Sequence, residues 1–268
     1  MFRKLYQIAV ATYKEWAAYR SHMLVSLAVG PLYFFAMYHV WTAVYQHDTS
    51  ISINGFSLNQ IIAYHGISTL LTYLTMDFAD WNLQMLIRTG KFMTYLIRPI
   101  RHIYFAFSQK VGHRVLGFVF EFIPVCLIFF FLFGIKLIPA YPLWFLLCVT
   151  QSFIIQFFFN YSIGITGFWF IKTRGLRMLL GILQNLFAGT FIPLTFFPEL
   201  LQKVFLFLPF QFTTYVPIKV FLGSYNLAGV FVDISIIVLI QTGVVILSGG
   251  LTFALWTLGI RRFTGVGV

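Results

Sequence analysis

Long apolar runs separated by short polar gaps organise this chain. Residues 23–45, 58–78, 115–135, 143–171, 178–197 and 231–260 are each predominantly apolar. About 20 such residues in a helix span the roughly 30 Å hydrocarbon core of a bilayer. The pattern therefore predicts six transmembrane helices, the fourth long enough to tilt. Strands of a membrane barrel would alternate apolar and polar over about ten residues, which these runs do not do. In lipid only helices and closed barrels satisfy their own backbone, so the predicted fold class is all-α integral membrane.

The segments between the runs are unequal. In residues 1–22, Phe2, Leu5, Ala9, Tyr13 and Trp16 recur at three- and four-residue steps while Lys4, Gln7 and Lys14 fall elsewhere on the wheel. That is an amphipathic helix lying in the membrane interface. Lys14 and Glu15 interrupt the apolar stretch that a signal peptide would need. Residues 77–114 are the most polar part of the chain. There Asn82 can cap a short helix that Gly90 ends, and a second amphipathic segment runs to Arg98-Pro99, where proline disfavours helix. Leu83, Leu86, Ile87, Leu96 and Ile97 offer an apolar anchor for a soluble partner; the other reading is a solvated loop. Residues 198–229 are too apolar for an ordinary loop yet are broken by Pro198, Pro209, Pro217 and Gly223. Pro198 suits a first helical turn and Glu199 its positive end, which predicts short re-entrant or interfacial helices fit to gate an exit.

Composition agrees with lipid as the solvent: 60% of residues are hydrophobic and 9% charged, against about 25% charged in soluble domains. Charge then orients the helices. Of the 18 lysines and arginines, only Lys136, Lys203 and Lys219 fall on one face of a six-span topology. Arg3, Lys4, Lys14, Arg20, Arg88, Lys91, Arg98, Arg101, Lys110, Arg114, Lys172, Arg174, Arg177, Arg261 and Arg262 fall on the other. By the positive-inside rule both termini are expected in the cytoplasm. The net charge of +11 thus reads as topology, not as a nucleic-acid surface. Cys126 and Cys148 sit inside apolar runs without metal or redox spacing.

Candidate chemistry is sparse. Asp77 and Asp80 form a DxxD that can hold magnesium against a diphosphate, or pair with Arg88, Lys91 or Arg114. Glu121 lies inside the third run with Arg114 seven residues earlier on the same face, a structural pair or a cation pathway. Gln151, Gln156, Asn160 and Gln184 are placed to bond helix to helix or to line that pathway, and His39 and His65 to make packed polar contacts. A P-loop would need glycine at position 85 and serine or threonine at 92, where Met85 and Phe92 stand, so no nucleotide site is expected here.

Ile87-Arg88-Thr89-Gly90 with Tyr95-Leu96-Ile97-Arg98-Pro99-Ile100 resembles the cytoplasmic loop of ABC-2 type transport permeases. Pro193-Leu194-Thr195-Phe196-Phe197-Pro198 followed by Leu208-Pro209-Phe210 resembles that family's outer segment before its last span. The tail Arg261-Arg262-Phe263 with Gly265 and Gly267 is similar to the viologen or daunorubicin exporter subgroup, although Gly265-Val266-Gly267 replaces a Gly-Gly pair. The resemblance implies an N-terminal elbow helix, six spans, a coupling helix between spans two and three, and re-entrant outer helices before span six. It further implies that the chain is no enzyme and holds no cofactor. ATP and magnesium would belong to separate P-loop ATPase subunits docking on Leu83, Leu86, Ile87, Arg88, Gly90, Lys91, Leu96, Arg98 and Pro99. A second permease subunit, identical or homologous, would complete the pathway. The expected location is the cytoplasmic membrane, among lipid, with Glu121, Gln151, Gln156 and Asn160 lining the path and Pro193, Pro198, Glu199 and Pro209 at the outer gate. The expected activity is export of a hydrophobic or amphipathic molecule. The rivals are a magnesium-dependent enzyme on lipid phosphates using Asp77 and Asp80, and an ion-coupled secondary transporter.

Overall fold

The computed structural model describes residues 2–18, 20–46, 50–135, 137–170 and 174–263. Lys136, Lys172, Gly265, Val266 and Gly267 lie outside these, as does the Arg20 side chain.

Among the described residues four helical stretches are long and apolar enough to cross a membrane, at Val25–Val44, His102–Phe133, Pro142–Phe168 and Ile234–Ile260. Helix α1 (Phe2–Ala18) precedes α2 (Arg20–Val44), which contains the first. Helix α3 (Leu58–Thr75) and the short α4 (Ala79–Arg88) and α5 (Met93–Leu96) follow. Helix α6 (His102–Gly117) continues through a π-helical turn at Phe118–Phe122 into α7 (Ile123–Phe133). Helix α8 (Pro142–Ile165) ends in a 3-10 turn, and α9 (Arg174–Phe187) follows. Then come α10 (Glu199–Phe207), α11 (Tyr215–Leu222) and α12 (Ile234–Ile260). Two tight hairpins, β1–β2 (Ser52–Ile53 with Phe56–Ser57) and β3–β4 (Tyr225–Leu227 with Val230–Val232), lie at the end of the bundle opposite α4. Both turn through two residues of positive φ, Asn54-Gly55 and Ala228-Gly229, which matches the twist of the strands they join.

Two helix limits differ most from the sequence reading. Helix α6 begins at His102, directly after the proline turn, not at 115. Its first half read as loop because it carries Lys110 and Arg114, but both are buried in the bundle. Helix α9 ends at Phe187, not 197; Gly189 at φ 74° turns the chain away, and only a 3-10 turn at Leu194–Phe196 follows. Helix α3 is the least lipid-like of the long helices because it is a core element, with thirteen of its 18 residues buried. Its polar residues face protein. Tyr64 donates to the Gly189 carbonyl at 2.5 Å and Ser68 to that of Thr190 at 3.1 Å. A capping box between Ser57 and Gln60 starts it.

Helix α12 packs along α8, α1 along α6, α4 against the end of α8, and α2 against α3. The segment before α12 threads irregular backbone among these helices. Ser152, about 15 Å along α8 from its start, donates to the Phe212 carbonyl at 2.8 Å. Gln241 of α12, wholly buried, donates to the same oxygen at 2.9 Å and to the Cys148 carbonyl at 3.1 Å. Non-helical backbone at such depth needs partners of this kind, since no water is there to supply them. Gln241→Leu is therefore expected to lower stability by about 1–3 kcal/mol, measured by unfolding in detergent, while the lipid-exposed Leu239→Ala changes it by under about 1 kcal/mol.

Candidate functional site

The polar stretch between α3 and α6 folds as a helix, a turn and a short second helix seated on the bundle. Gly90 takes a φ of 70°, a left-handed conformation that suits glycine, and turns the chain so that the Phe92 amide donates to the Leu86 carbonyl at 3.0 Å. The inner face of α4 is spent on its own chain. Leu83, Ile87 and Phe92 are buried in one cluster with Phe157, Tyr161, Ile165 and Phe168 of the α8 end. Gln84 donates to the Ile163 carbonyl at 3.0 Å, near the C-terminus of α8, where helix carbonyls lack partners. This corrects part of the sequence reading: Leu83 and Ile87 anchor α4 to α8 and do not face outward, and Leu86 is half-buried. Arg88, Lys91, Met93, Leu96, Ile97, Arg98 and Pro99 are exposed, Ile97 to 86%. The Arg98 guanidinium lies 4.1 Å over the Tyr95 ring, which holds it along the surface.

Behind α4 lies a cluster of buried charge. Asp77 accepts the Ala79 amide at 2.7 Å through Oδ1, capping the first turn of α4. Its Oδ2 stands 3.2 Å from Lys110 Nζ of α6, the two side chains only 3% and 1% exposed. Lys110 also donates to the Phe153 carbonyl of α8 at 2.9 Å. One ammonium thus joins α4, α6 and α8. Asp80 instead reaches Arg177 of α9 at 3.0 Å. Burial raises the Asp80 carboxyl above its usual range, and the Arg177 charge opposes that shift. The DxxD carboxylates therefore pair with Lys110 and Arg177, not with the Arg88, Lys91 or Arg114 expected from proximity in sequence, and they are drawn to separate helices. Among the described residues no three histidine, cysteine or carboxylate side chains gather to hold a metal.

Arg114 does pair with Glu121, at 3.4 Å, and its Nη1 donates to the Tyr73 carbonyl at 2.6 Å in the last turn of α3. Glu121 stands in the π-helical turn, where the helix widens by a residue and re-aims its side chains. Tyr73 reaches further, into α2. The Gly30 amide donates to its hydroxyl at 2.9 Å, and that hydroxyl donates to the Ser26 carbonyl at 2.8 Å. A side chain therefore stands inside the α2 hydrogen-bond ladder, beside Pro31, which lacks the next donor. A Cβ at Gly30 would overlap the end of the Tyr73 ring and push its hydroxyl out of the α2 ladder.

The other pathway candidates are not brought together. Gln151 donates to Thr242 of α12 at 2.7 Å, and Gln156 accepts from Gln184 of α9 at 2.8 Å. Asn160 is half-buried on α8. His65 accepts the Trp41 indole N–H at 2.7 Å, a packed polar contact, whereas His39 is exposed. At the candidate outer gate Pro193 is buried, Pro209 half-buried and Pro198 exposed. Glu199 opens α10 and pairs on the surface with Lys203 at 2.7 Å, a hydrogen bond that lowers the carboxyl's pKa. Sequence reasoning missed Lys110, Tyr73 and Gln241. A glutamine inside span six and a Gly-Pro pair inside span one were the available signals.

Apolar helices, polar side chains spent on joining them, and an amphipathic helix seated at one end define the class: a multi-pass membrane protein. The chain belongs to the ABC-2 transporter family, whose model, described as "ABC-2 family transporter protein", matches residues 32–267. It is a membrane component of a transporter, and permeases of this family work with ATPase subunits. No curated protein and no solved structure matches the chain.

Removing one member of the Lys110–Asp77 pair leaves an uncompensated buried charge, at a cost of about 3–5 kcal/mol. Lys110→Met should show that loss in unfolding measurements, and Lys110→Met combined with Asp77→Asn, which keeps an acceptor for the Ala79 amide, should recover most of it.

Proposed function

We propose that this chain is one of two permease subunits, identical or homologous, of an ATP-driven exporter in the cytoplasmic membrane. Its six spans are α2, α3, the continuous helix through α6 and α7, α8, α9 with its following segment, and α12, and both termini face the cytoplasm. Separate P-loop ATPases carry the ATP and magnesium and dock on the segment from α4 to Pro99. The observation that carries this reading is the two-sided character of that segment. Its inner face is fixed to α8 by Leu83, Gln84 and Ile87, while Arg88, Lys91, Leu96, Ile97, Arg98 and Pro99 stand outward around a basic, apolar knob.

The packing suggests how a push would travel. Because α4 is fixed to α8 at one end and Ser152 of α8 holds the Phe212 carbonyl of the outer segment, closure of the ATPases would tilt α8 as a rigid lever. That motion would rock the irregular outer backbone between two access states. The apolar bundle suits a hydrophobic or amphipathic cargo moving outward, with Pro193, Pro198, Glu199 and Pro209 beside the exit.

Arg88→Glu with Arg98→Glu reverses two exposed charges on this knob. The double variant is expected to fold normally and to lose at least about tenfold in co-purification with its ATPase and in ATP-dependent transport. Full association and transport by the double variant would remove the coupling assignment.

A further inference from the structure

A cleft of about 580 Å³ opens between the second half of the α4–α6 connection and the end of α12. That is within the range of cavities that take small ligands. Arg98 and Arg101 line it from the connection and Arg261 from the end of α12, and among the described residues no aspartate or glutamate lines it. Arg101 is the N-cap of α6, and His102 and Ile103 of its first turn also line the cleft, which puts the positive end of a helix that runs on to Phe133 beside the same space. The deeper wall is apolar: Phe253 and Trp256, on the last turns of the membrane-crossing α12. Trp256 lies parallel to the His102 ring at 6.3 Å, and His102 is bonded to the Tyr161 hydroxyl at 2.9 Å, so that wall is anchored to α8.

Three arginines and the start of α6 around the mouth, above an aromatic wall on a membrane-crossing helix, match one chemistry. We propose that this cleft binds the phosphate headgroup of an anionic membrane lipid, with an acyl chain laid against Phe253 and Trp256. The arginines fork onto phosphate oxygens, and aromatic rings at the end of a span sit at headgroup depth. Basic pockets between membrane helices recognise headgroups by this means. A soluble anion would be held by the mouth alone; the apolar wall is what selects a lipid. The cleft shares Leu96, Arg98 and Pro99 with the ATPase knob, while Arg101, Arg261, Phe253 and Trp256 lie outside the coupling set.

The purified chain in neutral detergent is titrated with dioctanoyl phosphatidylglycerol, dioctanoyl phosphatidylcholine and inorganic phosphate, with bound lipid counted by native mass spectrometry. Wild type is expected to bind phosphatidylglycerol at least about tenfold more tightly than Arg101→Gln/Arg261→Gln. Phosphatidylcholine should bind both equally weakly, and equimolar phosphate should not displace the anionic lipid. Arg261→Gln alone, at a position beyond the end of α12, gives an intermediate loss and covers the case in which the double variant unfolds early. Equal phosphatidylglycerol affinity in wild type and variants overturns the proposal. So does displacement by equimolar phosphate, which would make the cleft a free-anion site. So does a double variant that keeps its lipid but no longer co-purifies with the ATPase, which would make the cleft a protein contact. Because binding is read on the permease alone, failure of the coupling assignment leaves this result standing.

Discussion

The ammonium of Lys110 organises the end of the molecule on which the functional reading rests. It meets the Asp77 carboxylate and the Phe153 carbonyl out of contact with solvent, and Asp77 in turn caps α4. Taking a lysine and an aspartate out of water costs several kcal/mol per ion before their attraction repays it. Such a pair adds little net stability over apolar residues of the same size. What it supplies is register: any slip of α4 relative to α6 or α8 leaves a naked charge. The Arg114–Glu121 pair does the same for α3 and the π-helical turn, with the Tyr73 carbonyl as its third member.

Polar side chains fasten the rest of the bundle for a related reason. Lipid tails compete equally well for apolar helix faces, so helix association leans on close packing and on hydrogen bonds between helices. Gln84 fixes α4 to α8, Gln241 fixes α12 to α8 and to Phe212, and Gln184 fixes α9 to Gln156. These contacts lie along α8 from one end toward the other. Helix α8 therefore touches both the α4–α5 segment and the irregular segment before α12, and α12 runs beside it, reaching the same two places through Trp256 and Gln241. The Tyr73 hydroxyl inside the α2 ladder marks a different kind of place, where one helix is weakened by Pro31 and repaired by a neighbour. Sharp bends of membrane helices concentrate at such insertions.

The long apolar helices and the Gly90 turn were legible because each depends on local chemistry alone: run length, and a glycine able to adopt positive φ. Burial of charge was not. Lys110 read as a loop cation in a linear scan, which cannot register that a carboxylate more than thirty residues upstream neutralises it; the seven-residue spacing did show the Arg114–Glu121 pair, but not the Tyr73 carbonyl that Arg114 also meets. The periodicity of α4 announced an apolar face correctly but could not say what covers it. Leu83 and Ile87 were assigned to a partner when α8 of the same chain takes them. The end of α9 was missed because Gly189 stands inside an apolar run that composition alone would continue to Phe197.

Under the proposed coupling, α4 and α8 move as one body when ATP binds to the partner ATPases. Paired spin labels at Thr89, just past α4, and at the exposed Leu143, near the start of α8, would report on it by pulsed electron resonance in a cysteine-free permease bound to its ATPase. A second pair, at Thr89 and the exposed Val40 of α2, serves as the reference. ATP is expected to shift the Thr89–Val40 distance and to leave the Thr89–Leu143 distance unchanged; a Thr89–Leu143 distance that shifts with ATP rules out the rigid α4–α8 unit.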